Sequence, residues 1–203
     1  KRLDWQTRFF GRLGSNNTPS ESALYFAGAN GEQMAENKYV RSSGFFPNDW
    51  IGSYGASTNH FHYGGGLNLR GYSGYYLVEE DKTGTAVAAY KGNSGFAVNT
   101  ELGFDRLIKL KKLGKLKSRF DIDTYLFADA GSINFINSQG NSEWATFRAD
   151  AGIGASFTIK RWWKFNNLNP FTIRFDVPFV LSHAPAGEKN VAFRWVLGIN
   201  RAF

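Results

Sequence analysis

At 203 residues with 17% aromatics, the chain is long enough for one sizeable domain and too aromatic for disorder. The absence of cysteine excludes disulfide scaffolds, cysteine-ligated zinc and thiol nucleophiles. Mean hydropathy is −0.36, and no run approaches the roughly 18 apolar residues of a membrane-spanning helix, which leaves β-strands as the only way to cross a bilayer.

In chain order, the first element alternates Leu3, Trp5, Thr7 and Phe9 with Asp4, Gln6 and Arg8. Residues 15–94 then lack sustained alternation and read as one long extracellular loop. A connector of that length needs a role or structure of its own. Alternation resumes with Phe96, Val98, Thr100, Leu102 and Phe104 against Ala97, Asn99, Glu101 and Gly103. It continues with Phe120, Ile122, Thr124, Leu126 and Ala128 against Asp121, Asp123, Tyr125, Phe127 and Asp129. The next segment sets Phe147 through Ile159 in steps of two against Arg148, Asp150, Gly152, Gly154, Ser156 and Thr158. Phe171, Ile173, Phe175, Val177 and Phe179 follow, against Thr172, Arg174, Asp176 and Pro178. Last comes Val191 to Phe203, with Trp195, Leu197, Ile199 and Phe203 on one face and Arg194, Val196 and Gly198 on the other.

These segments lie near the roughly 9–11 residues of a tilted transmembrane strand. Charges of both signs, including Arg148, Asp150, Arg174 and Asp176, fall on one face of successive strands. An aqueous lumen suits that pattern better than the apolar shared core of a sandwich. The expected fold class is all-β: a transmembrane antiparallel β-barrel, with residues 1–203 as its C-terminal part and residues 95–203 as its last five strands. Six strands do not close such a barrel, and no export signal precedes Lys1, so further residues are expected ahead of it.

The net charge of +7 is concentrated: Asp105 to Arg119 carries six of the excess positive charges. A solvated turn is expected there, acidic lipid headgroups being the alternative ligand, and nucleic acid is not expected as a partner. Alternating connector lengths place Asn134 to Glu143 and His183 to Asn190 outside, and Arg161-Trp162-Trp163-Lys164 at the periplasmic interface.

Within the long loop stands Phe61-His62-Tyr63-Gly64-Gly65-Gly66-Leu67-Asn68-Leu69-Arg70-Gly71-Tyr72. Arg70-Gly71-Tyr72 and its glycine-rich lead-in resemble the tip of the lumenal sixth loop of the Omp85 superfamily, barrels that insert or translocate proteins at the outer membrane. Phe127-Ala128-Asp129-Ala130-Gly131, Asn99-Thr100-Glu101-Leu102 and Ala151-Gly152-Ile153-Gly154 resemble later strands of that family, and Phe203 resembles its terminal assembly signal. The matches run in order from about Trp5 to Phe203. Two departures from the family stand out: the loop ahead of Arg70 is longer than usual, which marks Ala23 to Thr58 as an insertion, and Arg201 replaces an expected hydrophobic residue.

The resemblance implies that Arg70 pairs with Glu101, Asp129 or both. A guanidinium enclosed without a carboxylate would cost several kcal/mol, on the order of a buried unpaired charge, and both acids fall on the inward face. Gly64, Gly65, Gly66 and Gly71 would let the backbone turn sharply and approach the wall. It further implies a lateral seam at the last strand, with unfolded outer-membrane proteins as clients, outer-membrane lipids around it and accessory lipoproteins as partners. No cofactor is expected. His60-x-His62 has no third ligand nearby in sequence, so a structural role is expected for it. No nucleophile-elbow pattern occurs, so enzymatic hydrolysis is not expected. The alternative is a barrel of the same kind serving as anchor or conduit for secretion or for an attached enzyme domain.

Overall fold

The alternating segments become strands. In the computed structural model the chain is described over residues 3–15, 22–28, 61–75, 77–104, 119–160, 170–185 and 187–199. The strands are β1 (Asp4–Arg12), β2 (Leu24–Tyr25), β3 (Phe61–Tyr63), β4 (Val78–Glu80), β5 (Ala86–Ala88) and β6 (Lys91–Gly92), then β7 (Gly95–Gly103), β8 (Phe120–Ile136), β9 (Ser142–Trp144), β10 (Arg148–Ile159), β11 (Phe171–Leu181) and β12 (Val196–Ile199). The main sheet has eight strands in the order β1-β7-β8-β10-β11-β12-β3, with β9 on the end of β8. Its ladders are antiparallel except β12–β3. Among the described residues it stays open, with β1 and β3 at its edges. No helix of the described residues is long and apolar enough to cross a membrane, which says nothing about crossing by strands.

The two faces of this sheet invert the usual rule of globular proteins. One face leaves large apolar side chains bare: Trp5 and Phe9 are 75% and 79% exposed, and Phe96, Leu126, Phe147 and Phe175 are exposed too. The other buries Asn99, Glu101, Asp129, Asp150, Arg174 and Asp176. What covers it is the long loop, which carries the β4–β5 hairpin and a single 3-10 turn at Arg70–Tyr72. Toward one end of the strands the covered face turns apolar, and Leu24, Phe26, Leu67, Leu69, Tyr72 and Tyr75 of the loop pack on Ala97, Ile133, Phe135 and Leu181 of the sheet.

Several expectations need correction. Of the expected insertion Ala23 to Thr58, Ala23 to Ala27 lie in or beside the core and β2 pairs with β6, while residues 29–58 lie outside the described residues. β8 runs through to Ile136 and forms a hairpin with β9, so much of the expected connector Asn134 to Glu143 is ladder. Val177, expected outside, is buried, whereas Phe179 and Val180 are both exposed. A register shift that skips Phe179 turns Val180 outward beside Pro178, which lacks a backbone N–H and is tolerated where a ladder is already interrupted; Val177 lies in the regular ladder before it, opposite Ile153. The last strand is also broken. Val191 forms only an isolated bridge to Val180, and pairing resumes at Val196. Residues 105–118, 161–169 and 200–203 lie outside the described residues, and with them most of the basic turn, the Trp162-Trp163 pair, Arg201 and Phe203.

Candidate functional site

The site forms where the loop tip meets the polar face. Cross-strand register lines up Arg8, Asn99, Asp129 and Asp150 on β1, β7, β8 and β10 in one row. The row two residues along holds Gln6, Glu101, Phe127 and Gly152, and the next brings Tyr125, Gly154 and Asp176 together. Side chains of one face therefore converge from strands far apart in sequence.

Arg70 sits at the centre, fully buried. Its Nε donates to Asp129 Oδ2 at 2.7 Å and its Nη2 to Asp129 Oδ1 at 3.0 Å, a bidentate fork that fixes the plane of the guanidinium. Nη1 donates to Glu101 Oε1 at 2.7 Å and lies 3.8 Å from Asp176 Oδ1. The Phe127 ring closes one side of the guanidinium, with its centroid 4.1 Å from Cζ. Burial alone would lower the pKa of Arg70, but Asp129, Asp176 and Glu101 outweigh it and hold the group charged well above its ordinary range.

The carboxylates are themselves held. Asn99 Nδ2 donates to Asp129 Oδ1 at 3.1 Å and to the carbonyls of Leu67 and Asn68, binding wall and loop at one point. Arg8 donates to Asn99 Oδ1 and to the carbonyl of Gly66, both at 2.9 Å. Tyr125 donates its hydroxyl to Asp176 Oδ1 at 2.7 Å, and Arg174 Nε lies 2.7 Å from Asp176 Oδ2. Three guanidinium groups (Arg8, Arg70 and Arg174) thus stand among four acidic side chains (Glu101, Asp129, Asp150 and Asp176).

The glycines act in different ways. Gly65 and Gly66 have φ of 132° and 55°, so they make the turn that L-residues resist, whereas Gly64 has no positive φ. Asn68 also takes φ 58°, unannounced in the sequence but within the tolerance of asparagine. Gly71 serves by close approach: a Cβ there would lie 2.5 Å from Leu181 Cδ2 and 2.7 Å from Asp150 Cβ. Gly154 on β10 leaves the space over which Tyr125 and Asp176 lean, since a Cβ would lie 2.3 Å from each. Tyr72 seats the far side of the tip, with its hydroxyl donating to the Ala149 carbonyl at 3.3 Å and its ring edge-on to Phe26.

A second clasp ties the β4–β5 hairpin to the wall. Glu79 accepts from Arg148 Nη2 and Thr146 Oγ1 at 2.5 and 2.8 Å. Asp81 accepts from the Thr83 and Thr85 amides, the Thr83 hydroxyl, and the Ser138 amide and hydroxyl. The Ser138 and Thr83 bonds lead in holding its carboxyl well below the usual carboxylate range.

The structure therefore brings Arg70, Gly71, Tyr72, Glu101 and Asp129 together. Of the residues expected at a seam, Trp195 stacks on Phe175 with centroids 5.9 Å apart, Leu197 and Ile199 are half-buried, and Gly198 is buried. His60 lies outside the described residues, and His62 meets Arg174 rather than a metal-type ligand set; among the described residues no cluster could hold a metal ion. Sequence reasoning did not assign Asp176, Tyr125, Phe127 and Asn99 to the network. Their signal was parity, since each falls on the polar face, but parity alone does not say which strands are neighbours. No family model, no curated protein and no solved structure matches this chain.

Proposed function

We propose that this chain forms part of a transmembrane barrel of Omp85 type, and that the protein folds and inserts β-barrel proteins into the outer membrane of a Gram-negative bacterium through a lateral seam. The observation that carries the reading is Arg70, borne on a loop and locked by Asp129 and Glu101 to the inner face of a sheet whose outer face is bare and apolar. An exposed apolar face of this extent would be an aggregation hazard in water, and lipid is the medium that removes the hazard. A polar inner face filled by its own loop is poorly suited to free diffusion of solutes. It suits a wall held rigid while a strand edge elsewhere accepts a client. Closure into about 16 strands, as the family resemblance implies, belongs to this proposal.

The test is reconstitution of the whole protein in phospholipid vesicles with a urea-unfolded outer-membrane barrel as client. Folding of the client should accelerate at least tenfold, and Arg70→Ala should remove most of that gain. A protein that inserts into the vesicles yet leaves client folding at the rate of empty vesicles overturns the assembly role and favours an anchor or conduit.

A further inference from the structure

The last rung of the sheet differs from the others. β12 meets β11 antiparallel on one side and takes β3 in parallel on the other, with Leu197 opposite Phe61, Gly198 opposite His62 and Ile199 opposite Tyr63. β3 belongs to the loop rather than to the wall, and the ladder it makes is three residues long. Parallel pairing is slightly less stable per residue than antiparallel. A longer antiparallel strand would therefore compete well for the same edge.

One side chain keys β3 in place. Arg174, Gly198 and His62 stand in a row across β11, β12 and β3. Because Gly198 has no side chain, the Arg174 guanidinium lies across β12; a Cβ at Gly198 would sit 2.7 Å from Nη2 and 3.0 Å from Nε. Nη2 then reaches His62 Nδ1 at 2.6 Å, with both side chains buried. Arg174 is a donor only, so Nδ1 is the acceptor and the imidazole is neutral. Among the described residues, His62 Nε2 is buried without a hydrogen-bond partner. The contact that holds β3 thus leaves one buried polar atom unsatisfied, an arrangement that favours release.

We propose that Phe61–Tyr63 is a displaceable placeholder on the β12 edge, keyed by the His62–Arg174 contact over Gly198, and that an extended amphipathic strand of the kind that builds a barrel wall replaces it. This rests on the assembly reading and describes how its seam is covered at rest. The lane over Gly198 sets a preference within that partner class, because the incoming strand gains most by placing a hydrogen-bond acceptor opposite Gly198, where Arg174 Nη2 is waiting.

The test uses the whole protein in phospholipid vesicles with Phe61→Cys and Leu197→Cys, any cysteine outside these 203 residues, which contain none, being replaced by serine. The probe is a synthetic peptide with the sequence of residues 171–181, the strand β12 already accepts on its other edge, carrying a photo-crosslinker at its N-terminus. Mild oxidation should bridge the two cysteines and cut labelling of β12 at least fivefold, and reduction should restore it. His62→Ala, without the cysteines, should raise labelling threefold or more. Cysteines that do not bridge, or labelling indifferent to the bridge, would overturn the placeholder. Peptide capture that follows the bridge in a protein that fails to fold clients would leave the placeholder standing and remove the assembly reading.

Discussion

The two faces of the sheet use opposite chemistry, and each is stable only in its own surroundings. On the inner face, charges are buried and three strands contribute partners: Asp129 from β8, Glu101 from β7, Asp176 and Arg174 from β11. On the outer face Trp5, Phe9, Leu126, Phe157 and Phe175 stand exposed, with little beyond ring contacts such as Phe120 on Phe157 to shield them. The inner face derives its order from specific geometry, and a single lost partner leaves a charge stranded. The outer face needs only an apolar medium and tolerates exchange of one apolar residue for another. The difference teaches that specificity in this fold is carried by the loop, since among the described residues 22–28, 64–75 and 77–92 lie over the sheet's inner face.

The comparison breaks most sharply at the lock. Asp129→Ala should destabilise the protein by about 3–5 kcal/mol, the usual cost of leaving one half of a buried ion pair. The readout is the urea midpoint for loss of the folded, heat-modifiable band, together with protease cleavage of the loop ahead of Arg70. Arg70→Met should cost less in the Asp129→Ala background than in the parent, because its bidentate partner is already gone while Glu101 loses its donor in both. If Arg70→Met costs as much in that background as in the parent, the lock is not held by this pair.

The outer face is probed by Leu126→Arg. Set against hydrocarbon near the bilayer midplane, an arginine costs about 2–4 kcal/mol, whereas on a water-facing surface the change would stay within about 0.5 kcal/mol. Equilibrium folding into phospholipid vesicles separates the two, and a negligible effect would place this face in water.

The smallest effect is expected at Asp81→Asn, which loosens only the β4–β5 turn and its attachment to Ser138. The Asp81 carboxyl is held below its ordinary value in the folded state. Its contribution is therefore present above the unfolded carboxylate pKa and is lost only as pH falls through the lower folded value. Hydrogen exchange at the Thr83, Thr85 and Ser138 amides should stay slow through the ordinary carboxylate range in the parent and become faster in the variant, while the lock residues are unchanged.

Much of this molecule was legible as pattern. The parity of Asn99, Glu101, Tyr125, Phe127, Asp129, Arg174 and Asp176 follows from the two-residue repeat of a strand, so their common face could be read directly. Pairing of Arg70 with Asp129 and Glu101 followed from that face together with the family resemblance. Beyond that, parity carries no information on register. That Asp176 reaches Arg70, and that Gly154 lies beneath Tyr125, depends on the β8–β10–β11 register. The break near Pro178 could be suspected from the proline, but its effect on Val180 could not, because a bulge reassigns faces beyond it. Arg194 shows the same limit. Its burial comes from Tyr75, Glu188 and the Lys189 carbonyl, which no local repeat brings together.

By itself, the sequence determined the all-β class, the long strands and which residues share a face, because side-chain alternation is a local property of extended backbone. It also marked Arg70 as a charge in need of acids. Only the tertiary structure decided which acids converge on it, that the loop is packed rather than free, and that β3 takes the edge of β12. Those outcomes depend on hydrogen-bond register and on side chains meeting across strands distant in sequence, and no local pattern encodes either.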